Sequence, residues 1–188
     1  MIHLYAFVLG ARHRDSGAWH HCVEGLVNLG RIDAVVGREE VDAVGHGLAV
    51  ESLVGRCRSV LPVRFGERFP DEAALRRAVE PRLGELERRL GELAGCVEIG
   101  VRVAPPAERA AVETGTDYMR AAGRREADLR ALDRRLRPRA RKSADARYLV
   151  ARAEVADFAA EVERYAREHP ELAVVCTGPW APYTFAAT

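Results

Sequence analysis

Val97-Glu98-Ile99-Gly100-Val101-Arg102-Val103 is the stretch whose reading decides the fold. Val97, Ile99, Val101 and Val103 fall on alternate positions, so an extended chain carries them all on one face and turns Glu98 and Arg102 to the other. That spacing predicts a half-buried strand, which Pro105-Pro106 ends. After it, Tyr118, Ala122, Arg125, Leu129, Leu132 and Leu136 step by threes and fours. These steps predict a long helix from about Ala107 to Leu136.

From Ala146 the pattern reads strand, helix, strand. Tyr148-Leu149-Val150-Ala151 is an apolar strand, and Val155, Phe158, Val162 and Tyr165 share one face of a helix that His169-Pro170 stops. Leu172 to Cys176 closes the series as a final strand. A strand–helix–strand unit of this size takes a right-handed crossover. With Val97–Val103 and the helix after it, this makes a sheet with helices on one face, a ferredoxin-like arrangement.

Upstream, His3 to Leu9 is an apolar, aromatic run that predicts a buried strand, and Ile32 to Val36 between Gly30 and Gly37 predicts a second. Leu48, Ala49, Leu53 and Val54 recur at helical spacing. Val60-Leu61-Pro62-Val63-Arg64-Phe65-Gly66 is strand-like, with Pro62 pointing to an edge or a bulge. Leu75, Val79, Leu83, Leu86, Leu90 and Leu93 then step as a helix that starts on Pro70-Asp71-Glu72 and is kinked or restarted at Pro81. The two heptad-like seams suit a short coiled-coil-like pairing of the long helices. The fold class read from this pattern is α+β, and the length fits the upper end of one domain or the lower end of two small ones.

Composition restricts the function. The chain has 188 residues, 48% of them hydrophobic and 30% charged, which excludes a disordered chain. The net charge of +1 lacks the basic excess of a general nucleic-acid binder. Of the 29 basic residues Lys142 is the one lysine, and an arginine excess spread over the whole chain reflects composition rather than a site. No apolar run approaches the roughly 20 residues of a membrane span, and the N-terminus has no signal-peptide pattern, so the expected compartment is the cytoplasm. Cys22, Cys57, Cys96 and Cys176 show neither a C-x-x-C pair nor ligand spacing and read as small hydrophobes. His20-His21-Cys22 is a local cluster best placed at a loop end.

Phosphate-loop, dinucleotide-binding and zinc-protease motifs are missing, and no serine sits in a nucleophile elbow. Catalytic, metal and cofactor residues therefore have no candidates, which leaves catalysis without named residues rather than excluded, and no cofactor is expected. Arg134, Arg135, Arg137, Arg139, Arg141 and Lys142 crowd around Pro138. They suit the negative end of a helix dipole running into a solvated loop. The sharper alternative is an anion or acidic-partner contact, which keeps open a ferredoxin-like module that binds RNA or a small ligand.

Thr177-Gly178-Pro179-Trp180-Ala181-Pro182-Tyr183-Thr184-Phe185 is an unusual ending, rich in proline and aromatic residues. Together with Leu4-Tyr5-Ala6-Phe7, Val60–Gly66, Val97–Val103 and Tyr148-Leu149-Val150, which precede it in that order along nearly the whole chain, it resembles the gas vesicle protein GvpL/GvpF family. The resemblance implies a two-domain α/β protein, not an enzyme, that takes part in building gas vesicles, the protein-walled compartments that give some microbes buoyancy. On this sequence the domains would be 1–95 with the first long helix, and a ferredoxin-like 96–188 with the second long helix and the aromatic C-terminal segment. It implies a minor vesicle component or assembly factor that contacts the very hydrophobic main shell protein GvpA and other vesicle accessory proteins. Arg64, Phe65, Trp180, Tyr183 and Phe185 are the candidate partner-binding residues. The competing reading has Gly178, Pro179 and Pro182 fixing a rigid turn while Trp180 and Phe185 close the core.

Overall fold

The first strand, β1 (Ile2–Leu9), is apolar on both faces, and so it takes the middle of a sheet. It pairs antiparallel with β3 (Asp33–Gly37), β4 (Ser59–Pro62) and the two-residue β5 (Arg68–Phe69). β2 (Gly25–Asn28) adds outside β3, so the sheet runs β2-β3-β1-β4. The register against β3 slips between Leu4 and Ala6, leaving Tyr5 as the extra residue of a bulge whose fully buried hydroxyl donates to the Cys22 carbonyl at 3.4 Å. Pro62 ends β4 at an edge of the sheet, where its missing N–H costs no ladder bond. This computed structural model describes residues 1–11, 19–104 and 115–186.

Helix α1 (Ala43–Glu51) starts on Asp42, whose side chain accepts the Gly45 N–H at 2.7 Å. α2 (Glu72–Val79) has the same kind of cap, with Asp71 accepting from Ala74 N at 2.7 Å, a contact worth about 1 kcal/mol. Pro81 falls in a single 3-10 turn, Glu80–Arg82, and α3 (Leu83–Glu92) starts afresh after it. The proline lacks the N–H that a continuous helix would need at that point. Leu75, Val79, Leu86 and Leu90 are buried, and α3 packs on β1 and β4. Gly95, at φ +71°, takes the left-handed turn that sends the chain on from α3.

β6 (Cys96–Ala104), α4 (Gly115–Leu136), β7 (Lys142–Ala144), β8 (Arg147–Ala151), α5 (Val155–Glu168) and β9 (Ala173–Trp180) follow in order. Their sheet runs β7-β8-β6-β9. The two strands that flank α5 are therefore separated by β6. Leu132, Leu136, Phe158, Val162 and Tyr165 are buried where α4 packs against α5. Pro105-Pro106 and the helix start expected at Ala107 lie outside the described residues, as do the side chains of Tyr118, Ala122 and Arg125. Lys142 belongs to β7 rather than to a loop, since the chain passes from α4 through one 3-10 turn, Arg137–Arg139, almost directly into that strand. α6 (Tyr183–Ala186) ends the described chain.

Contacts divide the molecule into two units, Met1–Val97 with Trp180–Thr188, and Glu98–Pro179. By these contacts Trp180 and the residues after it group with the first unit, while residues 177–179 stay with the second. Two polar contacts account for this. The Ala181 N–H lies 3.1 Å from both carboxylate oxygens of Glu51, and the Arg89 guanidinium donates to the Ala186 carbonyl. Among the described residues no helix is long and apolar enough to cross a membrane.

Candidate functional site

The first unit holds a cleft of about 620 Å³. Its floor comes from the sheet, through Leu4, Phe7 and Leu61, and one wall comes from the α2–α3 segment, through Val79, Arg82, Leu86 and Arg89. Pro62, Val63, Arg64 and Glu67 form the rim that follows β4, and Tyr183 and Ala186 stand at the C-terminal side. The chain builds this hollow because β4 stops at Pro62 and α6 is tied down beside it.

Arg82, Leu86 and Arg89 lie on one helical stripe. Glu85 pairs with Arg82 at 3.7 Å and with the buried Arg89 at 3.5 Å, so one carboxylate serves two cations. Arg64, by contrast, is exposed and forms no ion pair with a described residue. The cleft thus has an apolar sheet floor, arginines on its helix wall, and at its rim a guanidinium without an ion pair among the described residues.

Beside it, Phe65 is 48% exposed, and its ring meets His46 edge-on at 5.7 Å. His46 is buried, and its Nε2–H donates to the Val63 carbonyl at 3.1 Å, since that oxygen can only accept. Burial pulls the His46 pKa below the ordinary 6.5, a shift the Val63 bond opposes and nearby His3 reinforces. Burial, with the Glu51 carboxylate close by, pushes the Tyr183 phenol up to about 12. It is therefore a neutral donor at physiological pH.

The sequence candidates separate as follows. Arg64 and Tyr183 line the cleft, and Phe65 is next to Arg64 on an exposed turn. Phe185 is half-buried within α6. Trp180 is 44% exposed and does not close a core; Ala181 and Pro182, the residues after it, are the buried ones. Gly178 and Pro179 continue β9, so this segment is the end of a strand and not a turn. Sequence reasoning missed the helix wall. Its signal was available, because Arg82 and Arg89 interrupt an otherwise leucine-rich stripe.

The basic run has mostly internal partners. Arg139 and Arg164 reach the buried Glu161 at 3.0 and 3.4 Å, Arg135 pairs with Glu168 at 2.6 Å, and Arg137 pairs with Asp133 at 2.7 Å. Arg135 also lies over the Tyr165 ring, 5.2 Å from its centre. Arg135 and Arg139 thereby join α4 and the turn after it to α5, while the Arg137 and Arg164 pairs stay within α4 with its following turn and within α5. Among the described residues no group of three or more His, Cys, Asp and Glu is placed to hold a metal ion.

The first unit thus carries a cleft with an apolar sheet floor, a helix wall that includes Arg82 and Arg89, and Arg64 and Tyr183 at its margin. The family model described as "Gas vesicle synthesis protein GvpL/GvpF" matches residues 3–144 and 119–187. Gas vesicle protein F2 of Halobacterium salinarum is 30% identical over 157 residues, which is 78% of this chain and 70% of that protein. Gas vesicle protein F of Haloferax mediterranei is 33% identical over 132 residues, 68% of this chain and 60% of that one. The crystal structure of gas vesicle protein GvpF from an Anabaena species matches the fold with a TM-score of 0.79 at 16% identity, over 100% of this chain and 96% of the other. That of GvpF from Microcystis aeruginosa matches with 0.71 at 15% identity, over 100% and 99%. The chain belongs to the GvpL/GvpF family of gas vesicle proteins.

Proposed function

We propose that this chain is a non-enzymatic assembly factor or minor structural protein of the gas vesicle, which binds the main hydrophobic shell protein GvpA in the cytoplasm while the vesicle forms. A shell subunit with a large apolar face must be kept from aggregating before it joins a wall, and a concave apolar surface suits that task. The observation that carries the reading is the cleft that brings Arg64 and Tyr183 together over an apolar floor. Phe65, Trp180 and Phe185 extend the contact surface. We read the second unit as ferredoxin-like, which its element order β6-α4-β7-β8-α5-β9 and strand order β7-β8-β6-β9 support, with the 22-residue α4 as a coiled-coil-like extension.

Capture of co-expressed GvpA by the tagged chain tests the proposal. Arg64→Ala and Trp180→Ala should lower retention about tenfold while the melting temperature of Arg64→Ala stays at that of the parent, because Arg64 is a solvated rim residue. Full retention by both variants would remove this surface from the docking site. No retention by the parent chain would remove the function.

A further inference from the structure

Resting on that reading, we infer that the outer edge of β9 is a second docking element, which takes an uncharged, extended segment of the shell protein as an added strand. β9 ends its sheet, with β6 on its inner side and no described strand on its outer side. Its eight residues distinguish it from the other edge strands, β2 and β4 with four residues each and β7 with three. Edge strands are normally guarded by shortness, proline or charge, because their open N–H and C=O groups invite another chain. β4 is short and ends in Pro62, and β7 carries the exposed Lys142. β9 is exposed at Ala173, Val175 and Cys176, with Val175 at 51%, and has no such guard before Pro179.

Charge specifies the occupant. From Leu172 to Thr188 the chain has no charged residue, in a protein that is 30% charged. The carboxylate nearest in effect, Glu163, which with burial raises the Cys176 pKa, is itself paired with Arg167 at 4.0 Å. A charged segment laid along this edge would lose water and find no counter-ion on the strand itself, with Glu163 already paired, so the site favours an apolar strand over a charged one. Thr177 is tied inward, its hydroxyl donating to the Gly100 carbonyl at 3.3 Å. The pairing stretch is therefore Ala173–Gly178, since Pro179 has no N–H to offer.

The test uses the tagged full chain with co-expressed GvpA, carrying Val175→Lys or Val175→Thr. The lysine places a charge on the edge, whereas the threonine keeps the β-branch without one. Val175→Lys should lower capture at least about tenfold with an unchanged melt, and Val175→Thr should stay within about twofold. Cys176 is the exposed cysteine while Cys22, Cys57 and Cys96 are buried, so its alkylation by iodoacetamide should slow at least about fivefold in the complex. If Val175→Lys lowers the melt, Ala173→Lys on the same edge decides. Undiminished capture by the lysine variants, or alkylation of Cys176 at the free rate within the complex, overturns the inference and leaves shell binding standing. No capture by the parent overturns both. Sedimentation of the chain alone as a dimer that Val175→Lys dissolves would make a second copy the occupant and also overturn it.

Discussion

Replacing Glu161 by glutamine should loosen the second unit and expose its arginines. The carboxylate is 6% exposed and faces Arg139 at 3.0 Å, Arg164 at 3.4 Å and Arg135 at 4.0 Å. Removing one member of a fully buried pair costs about 3–5 kcal/mol, chiefly because the other charge stays buried. Here Arg139 and Arg164 are 41% and 54% exposed and regain water. Arg135 keeps its pair with Glu168 and adds nothing to the sum. About half of the penalty survives, so Glu161→Gln should destabilise by roughly 2 kcal/mol. Urea unfolding measures this directly, and 1 M salt should reduce the difference only modestly, since the carboxylate is buried. The same variant should bind a random oligonucleotide more tightly than the parent and with a steeper salt dependence, because two guanidiniums have lost their partner. A loss of less than about 0.5 kcal/mol would refute the view that Arg139 and Arg135 fasten the end of α4 to α5 through Glu161. Tight, salt-sensitive oligonucleotide binding by the parent would revive the nucleic-acid reading of the basic run.

Three further outcomes follow from local geometry. Gly37→Ala should be severely destabilising, by about 3 kcal/mol or more in thermal melts, because a Cβ there would lie 2.0 Å from the Cys22 carbonyl oxygen, a backbone atom that cannot swing away; a shift of only a degree or two would show that the Cys22 segment gives. Asp71→Ala should cost about 1 kcal/mol by the same measurement through loss of the α2 cap, and Asp71→Asn should restore most of it. His46 has a folded-state pKa below 6.5, so the unfolded chain takes up its proton first as pH falls. Its contribution to stability is complete above about pH 6.5 and shrinks below it, and a His46→Gln variant should lose part of the difference in melting temperature between pH 7.5 and 5.5.

What was legible in the sequence follows from how strongly each residue's environment constrains it. β1, β3, β6 and β8 are buried runs or regular alternations, and the restart of the helix at Pro81 follows from one missing N–H. β2, β5 and β7 have two to four residues each, too few for any period to emerge; β2 and β7 are recognisable only through the strand each pairs with next in the chain, and β5 pairs with the distant β1. The end of β9 was hidden for another reason. Gly178-Pro179 carries the local signal of a turn, yet the strand runs through it to Trp180, because anchoring of Ala181 by Glu51 fixes where the chain must go next. That anchor spans 130 residues, and no window of sequence contains it. The candidate site divides on the same principle. Arg64 and the aromatic ending stood out by composition, whereas Arg82 and Arg89, visible in the sequence as breaks in a leucine-rich helix, take on meaning as a wall only once the α2–α3 segment lies beside β4. Charge was the least legible property of all. The net +1 hides a run of arginines already matched to Asp133, Glu161 and Glu168, and it equally hides a C-terminal stretch with no charge. In the first of these regions ionic partners are already in place, and in the second an apolar partner meets no charge to desolvate.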